Sequence, residues 1–553
     1  MAAEIKGEEA CPGSAIRVRR GLSLAACHRY LLVSLLLLRV TGVSAAGFET
    51  EKISAPQWTA LIESARQFLV TEAQNHPFPF DEVQRKRTRD VSIYYHYFPQ
   101  WFLSLDNKAV EADFYSDAGR IVPALSDPAA DPARYFGSRP IAFNERPLSP
   151  PPYPSPYWRE RNFAIDILRM RRAEGSGFMV DLPQINSGEL WEAALSLCQV
   201  AAHLHVGAQV VPEPGTASLV AGGVPSADVA KALVTFSKCP AGYVRGGRLM
   251  VAPFGADLEP VDYWKDVIAR LAAAGVEISF VPVLLDPSPQ HVREFSAISD
   301  ELTSWGWSTP SQVMDDAYGI QRARLLELAG KAHWMVPVRP QDVRPKSATF
   351  WDSGNTFVYR STWERALSDP RANGMQVITW NDLGEGSEVE PASASHYLFY
   401  DLSAYYANWA LSGVAPQVTR DSIYYSTRRQ DLRAIYRPAP ADARPGSPSS
   451  EGSVGPMKMP WPNRELHQNI EMLAFLKAAA TLEVRIGEHV YRKAFAEPGL
   501  AAFSVPLEPD IAHFAIYRDG ALVAELTAPF AITALTPADR VPDVFYFGGS
   551  VRD

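Results

Sequence analysis

The sequence of 553 residues predicts a (β/α)8 TIM barrel followed by a small all-β domain of sandwich type. Two observations carry this prediction. Eight short runs of β-forming residues recur along the chain with helical periodicity between them, and a stretch rich in proline, glycine and serine then precedes a segment of alternating apolar and polar residues. The chain is 47% hydrophobic and 21% charged, which excludes a disordered or fibrous protein. Its formal net charge of −9, with no basic cluster in its body, argues against nucleic-acid binding.

The start of the chain has the order of a secretory signal peptide. Basic residues lie before an apolar run at 30–38, and small residues precede an expected cleavage site near Ala46. The apolar run is too short to span a bilayer permanently, so we expect no membrane span after the signal is removed, and a secreted or periplasmic protein. Cys198 and Cys239 then remain; they either form one disulfide or stay as two buried thiols.

The β-forming runs predict the strands of the barrel. Amphipathic stretches such as 189–203 and 263–274 lie between them and predict the helices. The proline-dense segment 147–156 is expected to belong to an extended loop over the carboxyl ends of the strands. The predicted strands are 91–95, 177–180, 208–211, 248–252, 278–282, 302–305, 334–337 and 375–379.

A change in composition marks the end of the predicted barrel. From Pro438 to Pro456, 12 of 19 residues are proline, glycine or serine, which is typical of a linker. Segments 482–486 and 514–518 then alternate apolar and polar residues, as strands do, so we expect a small β domain that can be separated from the barrel. The predicted organisation is a signal peptide at 1–46, a helical lead-in at 47–88, a catalytic barrel at 89–430, a linker at 431–464 and a β-rich accessory domain at 465–553.

Acidic residues follow most of the predicted strands, at the end where barrel active sites lie. Glycoside hydrolysis needs one protonated and one ionised carboxyl across the glycosidic bond, and this arrangement with its many aromatic residues suits it. Each acid taken alone equally fits a helix cap or a solvated loop charge. The sequence contains no metal-ligand set, phosphate loop or dinucleotide fingerprint, so we expect no metal and no cofactor. The acids are Asp181, Glu213, Asp257, Asp286, Asp352, Asp382 and Glu385.

The segment after the eighth strand resembles a known family. Residues 378–387 read Ile-Thr-Trp-Asn-Asp-Leu-Gly-Glu-Gly-Ser, similar to the Thr-Trp-Asn-Asp-Xaa-Gly-Glu motif of glycoside hydrolase family 71, the α-1,3-glucanases. Related segments occur in family 99-like proteins. Segments 94–98, 177–181 and 417–425 also resemble family 71, and the resemblance spans about 89–430. It implies a (β/α)8 barrel that hydrolyses α-1,3-glucan with inversion.

Two departures from the family pattern concern sugar contacts. Glu213 stands where members commonly carry an aspartate, and the segment 304–308 lacks an acidic residue expected after its first tryptophan. These departures leave open another linkage or an inactive, binding-only barrel.

The motif assigns roles to the candidate residues. We expect Asp382 and Glu385 to be the acid and base, with Asp181 as a further catalytic residue. The alternative is that Asp382 caps the turn and Glu385 acts with Asp181. Trp380 and Asn381 are expected to form the floor of the site and to bind sugar hydroxyls. The remaining candidates for substrate binding, with core packing as the alternative for the aromatic ones, are Glu213, His96, Tyr95, Trp305 and Trp351.

The sequence thus favours a monomeric glycosidase whose partner is a polysaccharide, most simply an α-1,3-glucan. Two alternatives remain at this stage. One is a carbohydrate-binding or cell-surface protein on a degenerate barrel, and the other is a family 99-like α-mannan hydrolase.

Overall fold

The structure is a computed structural model. The predicted signal peptide, 1–46, lies outside the residues that it describes. Those residues are 53–81, 87–115, 145–306, 308–314, 334–440, 442–443, 450–455, 457–460, 465–534 and 543–551.

Strands alternate with helices from β1 to α10. The strands are β1 (Ser92–Tyr97), β2 (Gly177–Leu182), β3 (Gln209–Pro214), β4 (Val244–Arg245), β5 (Arg248–Val251), β6 (Ile278–Phe280), β7 (Val283–Leu284), β8 (Thr303–Ser304), β9 (Trp334–Val338), β10 (Asp342–Arg344), β11 (Thr349–Trp351) and β12 (Ala372–Val377). The helices are α1 (Ala55–Asn75), α2 (Trp158–Arg172), α3 (Glu189–Leu204), α4 (Thr216–Ala221), α5 (Ser226–Phe236), α6 (Val261–Ala273), α7 (Pro289–Ser296), α8 (Pro310–Met314), α9 (Phe357–Ser368) and α10 (Leu398–Ser412).

Most strands of this region pair in parallel, whereas the pairs β4–β5 and β10–β11 are antiparallel. The largest sheet has the order β3-β2-β1-β12-β9, and β5 pairs with β6 and β7 with β8, all in parallel. Parallel backbone bridges Gly215–Phe254, Phe254–Val283 and Leu302–Trp334 lie between these groups. Each predicted strand overlaps one of these strands, although the run at 302–305 contributes only the two residues of β8. The predicted α/β organisation with parallel strands is confirmed.

The helices pack their apolar faces on this sheet. In α6, for example, Trp264, Val267 and Leu271 recur at helical spacing and are all buried. A disulfide joins Cys198 in α3 to Cys239 after α5, with the two Cα atoms 6.2 Å apart. Of the two states that the sequence allowed, the structure has the disulfide.

The rest of the chain is rich in β-strands, as predicted. Its sheets have the orders β21-β18-β13-β24, β14-β23-β22-β19-β20 and β10-β11-β17-β16-β15. The strands are β13 (Ser422–Thr427), β14 (Gln430–Asp431), β15 (Tyr436–Arg437), β16 (Gly452–Val454), β17 (Met457–Met459), β18 (Asn469–Leu476), β19 (Ala480–Ile486), β20 (His489–Phe495), β21 (Gly499–Pro506), β22 (Asp510–Arg518), β23 (Ala521–Ala534) and β24 (Phe547–Ser550).

The predicted boundary at residue 430 is wrong. Strand β13, which we placed at the end of the barrel, pairs with β18 on one side and β24 on the other. The same sheet also packs on the α/β region, because the ring of Phe475 lies 5.2 Å from that of Tyr405 in α10. The two regions therefore share a core, and the β-rich region is not a separate appendage.

Part of the predicted linker is folded. Val454, Met457 and Met459 are buried, and β17 pairs in parallel with β11. The linker prediction counted only proline, glycine and serine and so overlooked these apolar residues, which form one buried face of a small sheet. Residues 444–449 lie outside the described part of the chain.

Asp352 ties the two regions together. It is fully buried, and it accepts hydrogen bonds from Tyr546 (2.7 Å) and from the backbone of His467 (2.6 Å). Burial alone would raise the pKa of Asp352, but the adjacent Arg428 guanidinium, 3.3 Å away, and His467 bring that pKa well below its ordinary value. This acid, which the sequence offered as a candidate for the site, is a structural ion-pair partner.

We expect Asp352→Asn to lower the free energy of unfolding by about 3 kcal/mol, because buried Arg428 is left without its counter-charge. Asp286→Asn is the matched control, since the side chain of Asp286 is 68% exposed, and we expect it to change stability by less than about 0.5 kcal/mol. Denaturant unfolding of the full chain measures both values. Equal midpoints for the two variants would contradict the structural role of Asp352.

We expect a chain that ends at residue 440 to lose its cooperative melt. The cut removes β18 and β24 from both sides of β13 and exposes the face of α10 that Phe475 covers. Thermal unfolding followed by circular dichroism measures this. A soluble fragment that melts as sharply as the full chain would restore the independent accessory domain.

Candidate active site

Two carboxyl groups lie side by side at the carboxyl ends of β2 and β3. Asp181 and Glu213 are partners in the register of these parallel strands, so both side chains point to the same face of the sheet. Asp181 is partly exposed, whereas Glu213 is 2% exposed. Burial raises the pKa of Asp181 well above its ordinary value, and the negative charges of Glu213 and Asp382 raise it further. Both effects favour the protonated form of Asp181.

His96 connects Glu213 to the neighbouring strands. Its Nδ1 lies 2.7 Å from Oε2 of Glu213, and its Nε2 lies 3.1 Å from Oε1 of Gln376 on β12. The imidazole is 1% exposed, and its ring stands edge-on to that of Trp305 at 4.8 Å. His96 and Glu213 contact each other, and both side chains are buried. Neither presents an open surface to a sugar in this structure, although we predicted both as candidates for substrate binding.

The loop after β12 carries Asp382, which caps its own turn. Oδ1 of Asp382 accepts the N–H groups of Gly384 and Glu385, each at 3.1 Å. Asp382 therefore makes the turn cap that we gave as the alternative to its role as a catalytic acid or base. Asp382 is 6% exposed, and its charge also reaches Asp181, so the loop and the end of β2 contribute to one cluster of carboxyl groups.

Glu385 is held by arginines from the segment after β9. Its Oε2 lies 2.8 Å from Nη2 of Arg344 and 3.7 Å from Nη2 of Arg339. Asp342 lies between the two arginines and pairs with both, at 2.7 Å and 2.6 Å. The backbone N–H of Val343 donates to the carbonyl of Glu385 (2.7 Å). The two nearby cations favour the ionised form of Glu385.

Two tryptophans flank this charge cluster. Arg339 lies 5.9 Å above the ring of Trp305, and Arg344 lies 4.9 Å above that of Trp351. Both rings are partly exposed. Trp305 and Trp351 stay candidates for substrate binding.

Three of the predicted binding residues lie in the core. Trp380 is fully buried, and its Nε1 donates to Asp166 (3.3 Å). Tyr95 is also fully buried, with its ring edge-on to Trp380 at 5.3 Å. Asn381 holds the loop after β1, since it accepts from the N–H of Phe98 and donates to the carbonyl groups of Phe98 and Trp101. In this structure Trp380, Asn381 and Tyr95 contact other residues of the protein, and none of the three presents an open surface to a sugar.

The sequence reasoning did not offer four further buried carboxyl groups, Glu145, Asp166, Glu388 and Glu390, as site residues. Burial raises the pKa of Glu388 and of Glu390 well above their ordinary values, and the neighbouring carboxyl groups of Glu145 and Asp166 respectively raise them further. Burial also raises the pKa of Asp166 to about 7. Such pairs need a shared proton. Only the proximity of Glu388 and Glu390 to the motif pointed to them.

The arginines were missed for a different reason. Arg339 and Arg344 come soon after the predicted strand 334–337, but the sequence reasoning considered only acidic residues as candidates after each strand. Among the described residues, no group of three or more His, Cys, Asp or Glu side chains is arranged to hold a metal ion.

Comparison with known proteins agrees with the motif. The family model described as Glycosyl hydrolase family 71 matches residues 219–537, more than half of the chain. The chain belongs to glycosyl hydrolase family 71. The matched residues include Asp382 and Glu385 and extend through most of the β-rich region, whereas Asp181 and Glu213 lie before them.

The similar proteins include a yeast enzyme. The ascus wall endo-1,3-alpha-glucanase of Schizosaccharomyces pombe is 29% identical over 132 residues, which are 22% of this chain and 28% of that protein. The family 71 chain thus spans well under half the length of this relative.

Two solved structures overlap with the fold. The GH99 endo-alpha-mannosidase from Bacteroides thetaiotaomicron has a TM-score of 0.43 at 16% identity, covering 58% of this chain and 98% of its own. An Anoxybacillus alpha-amylase has a TM-score of 0.36 at 7% identity, covering 76% and 98%. At these TM-scores neither likeness bears on function. No helix within the described residues is long and apolar enough to cross a membrane.

We expect Asn381→Ala to lower the free energy of unfolding by about 3 kcal/mol, because backbone groups of Phe98 and Trp101 lose their partners. Asn408→Ala is the matched control, since it removes one bond to the carbonyl four residues earlier in α10; we expect a loss below about 1 kcal/mol. Denaturant unfolding measures both. If Asn381→Ala keeps full stability and weakens sugar binding, the original prediction for Asn381 is right.

Proposed function

We propose that this family 71 protein hydrolyses an α-glucan, most simply α-1,3-glucan, with inversion at the anomeric carbon. The observation that carries the proposal is one carboxyl group of raised pKa, Asp181, in a cluster with the carboxylates of the family motif. Hydrolysis with inversion needs such a pair, an acid to protonate the leaving oxygen and a base to activate water. The α-1,3 linkage rests on the motif and on the partial match to the yeast endo-1,3-alpha-glucanase.

Asp181 is the proton donor in this proposal. The raised pKa of Asp181 favours its protonated form, and its side chain is partly exposed, so it can donate a proton to the glycosidic oxygen. Asp382 is the base that activates water, since its charge faces Asp181 and the turn N–H groups fix its orientation. Glu385, paired with Arg344, supplies fixed negative charge that stabilises an oxocarbenium-like transition state. This assignment differs from the Asp382–Glu385 pair that the sequence predicted.

The proposal includes a closed (β/α)8 barrel. The parallel bridges at Phe254 link β3 to β7, and the Leu302–Trp334 bridge links β8 to β9. Together with the paired strands, they support a ring in the order β1, β2, β3, β5, β6 with β7, β8, β9, β12. The carboxyl groups would then meet at the carboxyl ends of the strands, where barrel active sites lie.

We further propose that the protein acts outside the cytoplasm, as a secreted or periplasmic monomer. The signal-like order of the first 46 residues and the disulfide between Cys198 and Cys239 support export.

The test is incubation of the protein with α-1,3-, α-1,4- and α-mannosyl polymers. The proposal predicts new reducing ends from the α-1,3 polymer above all. Retention of polymer without new reducing ends would establish the binding protein instead, and release from the mannosyl polymer alone would establish the family 99-like alternative.

We expect Asp181→Asn and Asp382→Asn each to lower turnover by at least about 10²-fold, because each removes a positioned proton donor or acceptor. Glu385→Gln should lower it similarly, because it removes the fixed negative charge that the proposal assigns to Glu385. Steady-state kinetics on the α-1,3 polymer measures these changes. Near-normal turnover in Asp181→Asn, with loss only in Asp382→Asn and Glu385→Gln, would return the acid to the motif pair.

We expect Gly215→Ala to lower turnover by about tenfold with little change in melting temperature. An added Cβ would lie 2.7 Å from Oδ1 of Asp181, so the carboxyl group has to move. Gly222→Ala, at the other end of α4, is the control, because its Cβ would meet nothing closer than 3.4 Å. Equal turnover in the two variants would contradict the placement of Asp181.

A further inference from the structure

Phe254, just after β5, lies on the same face of the parallel strands as Asp181. Asp181 and Glu213 are register partners on β2 and β3, and Gly215 comes two residues after Glu213, so the three positions share a face. Gly215 forms a parallel backbone bridge with Phe254, and the N–H of Phe254 donates to the carbonyl of Pro214 (3.1 Å). Because bridge partners in parallel strands point to one face, the Phe254 side chain is directed to the side where Asp181 lies.

Trp305 reaches the same face from the next strands. Val283 of β7 is the bridge partner of Phe254 on its other side, and it is also the register partner of Thr303 on β8. Trp305 comes two residues after Thr303, so its side chain is directed to the same face. The rings of Phe254 and Trp305 stand edge-on with their centroids 4.4 Å apart. Since Trp305 also contacts the ring of His96, these two residues, the aromatic wall, begin beside the carboxyl cluster and extend to the end of β5.

The aromatic wall is not used to fill a hydrophobic core. Within the described part of the chain the cores are formed by other side chains, whereas both rings of the wall are partly exposed. An aromatic ring beside a few convergent polar groups is the usual lining of a ligand site. A flat apolar ring of this kind can pack on the C–H face of a sugar, while the nearby carboxyl groups meet its oxygens.

We propose that Phe254, backed by Trp305, binds the glucosyl residue on the leaving-group side of the bond that is cleaved. A proton donor must lie beside the leaving oxygen, so the surface next to the donor receives the sugar that departs. Asp181 is that donor in the proposed function, and the wall lies on its face of the strands. The inference therefore rests on the proposed function and adds Phe254 to it as a substrate-binding residue.

Two substrates that differ only in their leaving group test the assignment. One is an α-1,3-gluco-oligosaccharide, whose leaving group is a sugar. The other is the α-fluoride of such an oligosaccharide, in which water replaces fluoride and no sugar occupies the leaving-group side. Phe254→Leu keeps apolar volume but removes the flat ring, so we expect kcat/KM to fall about tenfold for the oligosaccharide and less than about twofold for the fluoride.

Matched variants separate the ring from the packing. Phe254→Tyr keeps the ring and should retain most of the kcat/KM for the oligosaccharide. Phe503→Leu is the control, because Phe503 is also a partly exposed phenylalanine but lies on β21 in the β-rich region; we expect it to leave the ratio of the two kcat/KM values unchanged. Thermal unfolding of each variant shows that the fold is retained.

A binding measurement reads the wall without turnover. In the Asp382→Asn chain, calorimetric titration with the α-1,3-gluco-oligosaccharide gives a Kd, and we expect the added change Phe254→Leu to weaken binding about tenfold. Adding Phe503→Leu instead should leave the Kd unchanged.

The outcomes separate the two proposals. A loss for the oligosaccharide that spares the fluoride, and that Phe254→Tyr does not share, supports the inference. Equal losses for both substrates, or no loss in Phe254→Leu, overturn it. If the unaltered chain cleaves neither substrate, the proposed function fails, and the titration decides: weaker binding in Phe254→Leu keeps the aromatic wall as a sugar site, and unchanged or absent binding removes it.

Discussion

A carboxyl group removed from water must either face a cation or hold a proton, and this constraint organises the interior of the protein. Glu72 pairs with Arg169, Asp352 with Arg428, and Glu471 with Arg360, and each pair joins segments far apart in the sequence. The pKa values of Asp181, Glu388 and Glu390 are raised well above the ordinary range, chiefly by burial and by neighbouring acidic groups. The first group stabilises the fold because its charges are satisfied. In the second group, Asp181, Glu388 and Glu390, the raised pKa values favour the protonated form, and of these three residues only Asp181 is partly exposed.

The catalytic loop depends on contacts from several regions of the chain. Asn381 fixes it to the loop after β1, and Val343 and Arg344 on β10 fix Glu385 through its backbone and its side chain. Strand β10 pairs with β11, and β11 pairs with β17. The β-rich region therefore supports β10, the strand that holds Glu385 in place, which gives a physical reason for a family match that extends through this region to residue 537.

The sequence predicted the parts of the fold that have a local signal. Parallel strands buried on both faces are continuous apolar runs, so all eight were found, and the motif at 378–387 located the loop that carries Asp382 and Glu385. The tertiary contacts could not be found in this way. Nothing local to Trp380 says that its side chain faces Asp166, and nothing local to Met457 says that β17 will pair with β11, so the inward-facing residues were taken for sugar contacts and a folded segment for a linker. Arg339 and Arg344 were findable by position, and were missed because cations were not sought beside the acids.

The central claim is that Asp181 holds a proton at neutral pH in the presence of ionised Asp382 and Glu385. The infrared difference spectrum between the unaltered chain and Asp181→Asn at pH 7 tests it directly, because the other buried carboxyl groups are common to both proteins and cancel. The account predicts a protonated-carboxyl C=O stretch in the unaltered chain that is lost in the variant. A difference spectrum that contains only the carboxylate bands of an ionised aspartate would contradict it.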